Sequence, residues 1–288
     1  MNSINDVSFA SLLSLQPPNK RKRVSTGTSI KDEASEILDR RVKPSKALDL
    51  SGQLITVIVG PDSDDNDEES KDLQDELQET FYVHQHAICA ASPFFANAMK
   101  PEWASSRPDP RTITLPEDDP AAFSIYMSYL YAKELPILNE STASQPTTPE
   151  GKYRDIDNGY HNLAYAYVLG ERLMDPAFKN AIIDAYVLYA RGSPPAKRCY
   201  PSNEEIRILY EGTHEDSPIR KLLIDIWTAR GKWEWVQMDP DLPNEFLMEV
   251  TKGLLKSREG SDGGGSLRGG REGLSRPWKL THEQYYEK

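Results

Sequence analysis

Cysteine is nearly absent, with two in 288 residues, too few for a disulfide framework and in keeping with a reducing, intracellular setting. No apolar run approaches the roughly 20 residues that a membrane-crossing helix requires; stretches such as residues 54–59 stop far short. The opening also lacks the shape of a signal peptide, because residues 8–15 are only mildly apolar and Pro17 and a basic cluster follow. Histidine is scarce, five in all, and no C-x-x-C or H-x-x-x-H spacing occurs. Nor is there a G-x-S-x-G nucleophile elbow or a G-x-x-x-x-G-K-[ST] phosphate loop, and the glycines of residues 263–270 follow no strand. Aromatic residues are not interleaved with Lys and Arg as on a nucleic-acid face, and a net charge of −11 opposes phosphate contact. The expectation is a non-enzymatic chain with no cofactor, no small-molecule substrate, no membrane and no direct nucleic-acid contact.

What charge there is lies unevenly. Residues 62–79 hold ten carboxylates and one lysine, a net of −9, which leaves −2 for everything else. Such a block repels itself and reads as a solvated insertion, with a basic partner as the alternative. The N-terminal tail, residues 1–47, is rich in Ser, Lys, Arg and Pro and reads as disordered. It carries the basic tetrad Lys20, Arg21, Lys22 and Arg23. Closely spaced cations of this kind suit a nuclear-import receptor, or they form a plain solvated patch.

Folding chemistry starts near residue 50. "QLITVIVG" (residues 53–60) is a β-branched strand bounded by glycines, and "TFYVH" (80–84) is its hairpin partner across the acidic insertion at 61–79. Residues 85–91 look helical. Ser92 then Pro93, Asp119 then Pro120, Asp175 then Pro176, and Ser217 then Pro218 each repeat a cap followed by a first-turn proline. Residues 112–115 form a short strand. Phe123, Tyr126, Met127, Leu130 and Tyr131 share one helical face, as do Leu163, Ala166, Tyr167, Gly170 and Met174, and then Phe178, Ile182, Tyr186 and Tyr189. Residues 139–157 read as a linker. Ser202 with Glu205 is a capping-box pattern ahead of Ile206, Leu209 and Tyr210. Leu222, Leu223, Ile226 and Trp227 mark another helix, and Phe246, Leu247, Val250 and Leu254 one more. From residue 257 the chain turns Gly-, Ser- and Arg-rich and reads as a disordered tail.

His84, His86 and Cys89 fall within six positions. On a helix His84 and His86 point about 200° apart, and only His86 and Cys89 can meet. Two ligands fall short of the three or four that zinc needs. His84 therefore reads as a hydrogen-bonded hinge, and Cys89 as a small apolar filler whose pKa burial would raise.

The order of these pieces carries a resemblance. Phe81, Val83, His84, Ile88, Ser92, Phe94 and Phe95, then Ile113, Leu115, Glu117, Asp119, Pro120, Phe123, Leu130, Tyr131 and Leu135, follow the spaced blocks of the BTB/POZ domain in its fungal-type form. Gln85 stands where lysine is usual. Residues 50–190 resemble that family, and residues 204–225 resemble the helical extension that follows such domains. The resemblance implies an α+β fold, a helical cluster flanked by a small sheet with further helices after it. The domain occupies 48–190, the helical extension 191–256 and the tail 257–288. Its motif core is Val83, His84, Ser92, Phe95, Leu115, Pro120, Phe123, Leu130 and Tyr131. It implies protein partners, self-association and a cullin among them, and hence an adaptor in a ubiquitin ligase complex. The alternative is a nuclear regulatory scaffold without a DNA-reading module; the expected location is nucleus, cytoplasm or both. The Asp that dimerising animal members carry near the first strand has no counterpart at Gly52 or Gln53. By position the partner surface includes Trp103, the loop to Pro110 and the exposed side of residues 121–133; alternatively Trp103 covers the edge of the core.

Overall fold

Alternation in Leu54–Val59 (β1) sends Ile55, Val57 and Val59 into the interior, as a period of two requires of a half-buried strand. The computed structural model describes residues 50–61, 78–138, 159–194, 198–259, 278 and 281–288. β1 pairs antiparallel with Glu79–His84 (β2), placing Ile55 opposite Val83 and Val57 opposite Phe81. On its other side it runs parallel to Thr112–Leu115 (β3), with Val57 opposite Ile113 and Val59 opposite Leu115. The most apolar strand is thus the middle one, in the order β2-β1-β3. Gly60 ends β1 at φ +102°, a conformation that suits glycine; a Cβ there would also lie 3.2 Å from the Gln78 backbone, where the chain re-enters. The hairpin across the acidic insertion is therefore present, and β2 begins one residue before the expected Thr80.

Four helices follow, Gln85–Ala91 (α1), Pro93–Ala98 (α2), Pro101–Ala104 (α3) and, after β3, Pro120–Ala132 (α4). α3 carries no apolar period and was not foreseen. α4 buries Ala122, Phe123, Ile125, Tyr126 and Leu130, a wider face than its expected stripe, while Met127 and Tyr131 are half-buried. It ends at Lys133, left-handed at φ 58°, whose amide donates to the Tyr129 carbonyl.

Gly159–Leu173 (α5) and Pro176–Arg191 (α6) pack on each other and on α4. A Cβ at Gly170 would sit 2.7 Å from Lys179 Cγ, so this glycine sets how closely the two helices approach. Met174 was expected on the buried face of α5. Instead α5 stops at Leu173, and Met174 takes φ 54° with its side chain 45% exposed. The reason is the next helix: Asp175 must be extended to cap it, accepting from the Phe178 amide at 3.0 Å, so the chain turns at Met174.

Asn203–Gly212 (α7), Pro218–Arg230 (α8), Trp233–Met238 (α9) and Asn244–Glu259 (α10) complete the helices. Ser202 and Glu205 form the capping box, with Glu205 accepting the Ser202 amide at 2.5 Å. Ser217 precedes Pro218 as expected but makes no side-chain cap; its hydroxyl donates to Glu171 at 3.2 Å instead. Leu254, expected inside, is exposed, whereas Phe246 and Val250 are buried. Arg220, 6% exposed, ties three helices together. It donates to the Tyr210 carbonyl at 2.7 Å and pairs with Glu245 at 3.0 Å, and its guanidinium lies 4.3 Å from the Tyr210 ring centroid.

The expected tail, residues 257–288, is described in part. α10 continues through residues 257–259, and Trp278 and residues 281–288 pack onto the helices through a 3-10 turn at His282–Tyr285. Trp278 and Tyr285 are fully buried. A composition dominated by glycine conceals a few aromatic anchors, and these suffice once a prepared surface exists. One continuous core links Ile55 of the sheet to Phe246 and Tyr285, and residues 48–288 group as one compact unit.

Candidate interaction surface

Of the motif residues, Val83, Ser92, Phe95, Leu115, Phe123 and Leu130 are buried, and His84, Pro120 and Tyr131 half-buried. The Tyr131 hydroxyl accepts the His84 amide at 3.0 Å and lies 2.9 Å from its Nδ1. The pair locks the β2–α1 junction to α4. His86 is exposed and Cys89 half-buried, with burial raising the Cys89 thiol above its usual pKa. Among the described residues no three His, Cys, Asp or Glu side chains stand close enough to hold a metal ion.

Ser92 does two jobs. Its Oγ accepts from the Phe95 amide at 3.3 Å, capping α2, and donates to the Leu173 carbonyl at 2.6 Å, satisfying the end of α5. Phe123 is the hub of an aromatic cluster, 4.8 Å from Phe81, 5.9 Å from Tyr126 and 6.5 Å from Phe95 between ring centroids. Tyr126 donates to Asp175 at 3.3 Å; burial first, and then that carboxylate, push its phenol far above the usual range. Arg172 pairs with Glu117 at 3.2 Å and Asp118 at 3.3 Å. Burial outweighs that cation and raises the Asp118 carboxyl. These groups have structural partners and build a scaffold.

Trp103 differs from them. It sits on α3 with 64% of its surface exposed, so it does not cover the core edge. The loop after it is braced from both ends. Arg107 donates to the Ala98 carbonyl at 3.0 Å and the Pro110 carbonyl at 2.7 Å. Asp109 accepts from the Thr112 hydroxyl at 2.5 Å and the Arg111 amide at 3.0 Å. A large aromatic ring held outward on a short helix, with a fixed loop behind it, is the geometry of a contact anchor, because little backbone freedom remains to be lost on binding. Sequence reading missed Arg107 and Asp109; the cue was Asp109 three residues before Thr112, the spacing of a side-chain-closed turn. Tyr82, on the edge strand β2, is also exposed. Ala121, Ser124 and Ala132 form the exposed part of α4, and Lys133 just beyond its end is exposed too. Lys20, Arg21, Lys22 and Arg23, and residues 139–157, lie outside the described residues.

No described helix is long and apolar enough to cross a membrane. No curated protein matches the chain. Residues 72–147 match the BTB/POZ domain family. That span takes in β2, α1, α2, α3, β3 and α4, the elements that hold the motif residues and present Trp103. BTB/POZ domains are protein–protein interaction modules. The agreement of matched span, element order and motif positions leads to one conclusion: the chain contains a BTB/POZ domain.

Proposed function

We propose that this chain is a non-enzymatic adaptor that engages a cullin through Trp103, the loop to Pro110 and the exposed side of α4, and so presents a substrate to a ubiquitin ligase. The observation that carries this reading is Trp103, a large apolar ring exposed on α3 next to a braced loop. Such anchors dominate interface energies once a partner desolvates them. The test is the mass of the protein in solution with and without a cullin N-terminal region. A one-to-one complex at micromolar concentration is expected, and Trp103→Ala weakens it by about 2 kcal/mol, roughly thirtyfold. Absence of any complex removes the ligase reading.

A second reading, a nuclear regulatory scaffold, is favoured by the tetrad Lys20, Arg21, Lys22 and Arg23. Replacing all four with alanine shifts the protein from nucleus to cytoplasm on this reading; an unchanged distribution removes it.

A further inference from the structure

Trp278, Tyr285, Tyr286 and Glu287 are each tied to the helices by a separate polar contact. Tyr285 is fully buried and donates to Asp225 of α8 at 2.6 Å, with Lys221 Nζ 4.9 Å from its ring centroid. Tyr286 donates to Asp184 of α6 at 2.6 Å. The Glu287 amide donates to Asn180 at 2.7 Å, and its carboxylate lies 3.0 Å from Lys179 Nζ and accepts the Tyr167 hydroxyl at 2.5 Å. Arg191 Nε donates to the Trp278 carbonyl at 3.0 Å.

The receiving face has the features of a built receptor. Lys179 is 7% exposed and has Glu171 at 2.9 Å, and the Tyr167 hydroxyl is 3.2 Å from Ser217 Oγ. The buried ammonium, with Glu171 already beside it, and the Tyr167 phenol converge on the Glu287 carboxylate as their shared charge-assisted partner. The two aspartates face hydroxyl protons, which selects tyrosine over phenylalanine. The segment itself has only a four-residue 3-10 turn, too short to persist unaided. Between it and α10 stand residues 260–277, seven of them glycine.

We propose that the face built by α5, α6 and α8 is a peptide-recognition site. Its resident ligand in cis is the segment containing Tyr285, Tyr286 and Glu287. In trans it takes a partner peptide with two adjacent tyrosines followed by an acidic residue. Tethering makes the cis encounter intramolecular, so a partner peptide must compete with the resident segment.

The probe is a fluorescein-labelled peptide of residues 278–288. The proteins are the full chain and the full chain carrying Tyr285→Ala and Glu287→Ala, which empties the site of its own ligand. The variant is expected to bind the peptide saturably, about tenfold or more tighter than the unaltered chain, whose site is occupied. Phenylalanine in place of both peptide tyrosines weakens binding about tenfold. A variant of unchanged helicity that binds no peptide overturns the proposal. Should the variant lose helicity, the unaltered chain with a protease site inserted in 260–277 is cut after folding. Exchange of its segment for labelled peptide within hours then supports the proposal, and a segment that never exchanges overturns it. A dimer that free peptide converts to monomer places the segment on a second copy and overturns the cis assignment.

Discussion

Ser92 shows what one residue can carry. Ser92→Ala removes the cap of α2 and leaves the Leu173 carbonyl without its donor. The expected loss is about 2 kcal/mol, read as a lower urea midpoint with unchanged slope. Asp109 carries a pH dependence. The Thr112 hydroxyl and then the Arg111 amide hold its carboxyl below its usual pKa. A carboxyl lowered by folding contributes stability above its unfolded pKa and loses it as pH falls through the folded value. Asp109→Asn is therefore less stable than the parent at pH 7, and the gap narrows as pH falls below the ordinary aspartate pKa of about 3.9. Urea midpoints measured down through that range check this; a gap that does not narrow contradicts it. Ser92, Asp119 and Asp175 were legible as caps because a cap acts within three residues of itself. Arg107 and Arg220 were not, because their long side chains reach partners that only folding brings near.

Among the elements, α5 and α6 depend on the glycine between them. Gly170→Ala places a methyl 2.7 Å from Lys179 Cγ and 3.2 Å from Phe178 Cδ1, forcing the helices apart. Overpacking of this kind costs about 1–3 kcal/mol, despite alanine's better helix propensity. Denaturant unfolding decides it, and a stabilised variant would show that the helices adjust freely. Arg220 has the same role for α7, α8 and α10. Its truncation to alanine leaves the Tyr210 and Thr213 carbonyls without their guanidinium and is expected to cost about 3 kcal/mol. Helix positions were legible from apolar spacing, but their ends were less so. Apolar spacing carried α5 on through Met174, whereas the cap of α6 made that residue a turn.

For the whole molecule, the continuous core has a thermodynamic consequence. The boundary drawn at residue 190 marks a change of motif, yet Ile206 and Leu209 of α7 share a core with Leu163 and Tyr167 of α5. Residues 48–288 are accordingly expected to unfold in one transition, with calorimetric and van't Hoff enthalpies equal. Two resolved transitions would show that the BTB/POZ domain and the later helices melt separately. Ser92→Ala and Arg220→Ala, one in the BTB/POZ domain and one in the later helices, should each displace the same single transition.

Local chemistry written along the chain determined the caps, the strands, the helical faces and the blocks by which the domain was recognised. Each of those depends on residues close in sequence or on a fixed spacing. Tertiary structure decided what spacing cannot express: that Trp103 points outward from α3 beside a braced loop, that Met174 is a turn, and that aromatic residues beyond the glycines lie on α6 and α8. These outcomes depend on which surfaces remain uncovered after the core closes, a property of the packed molecule rather than of any segment.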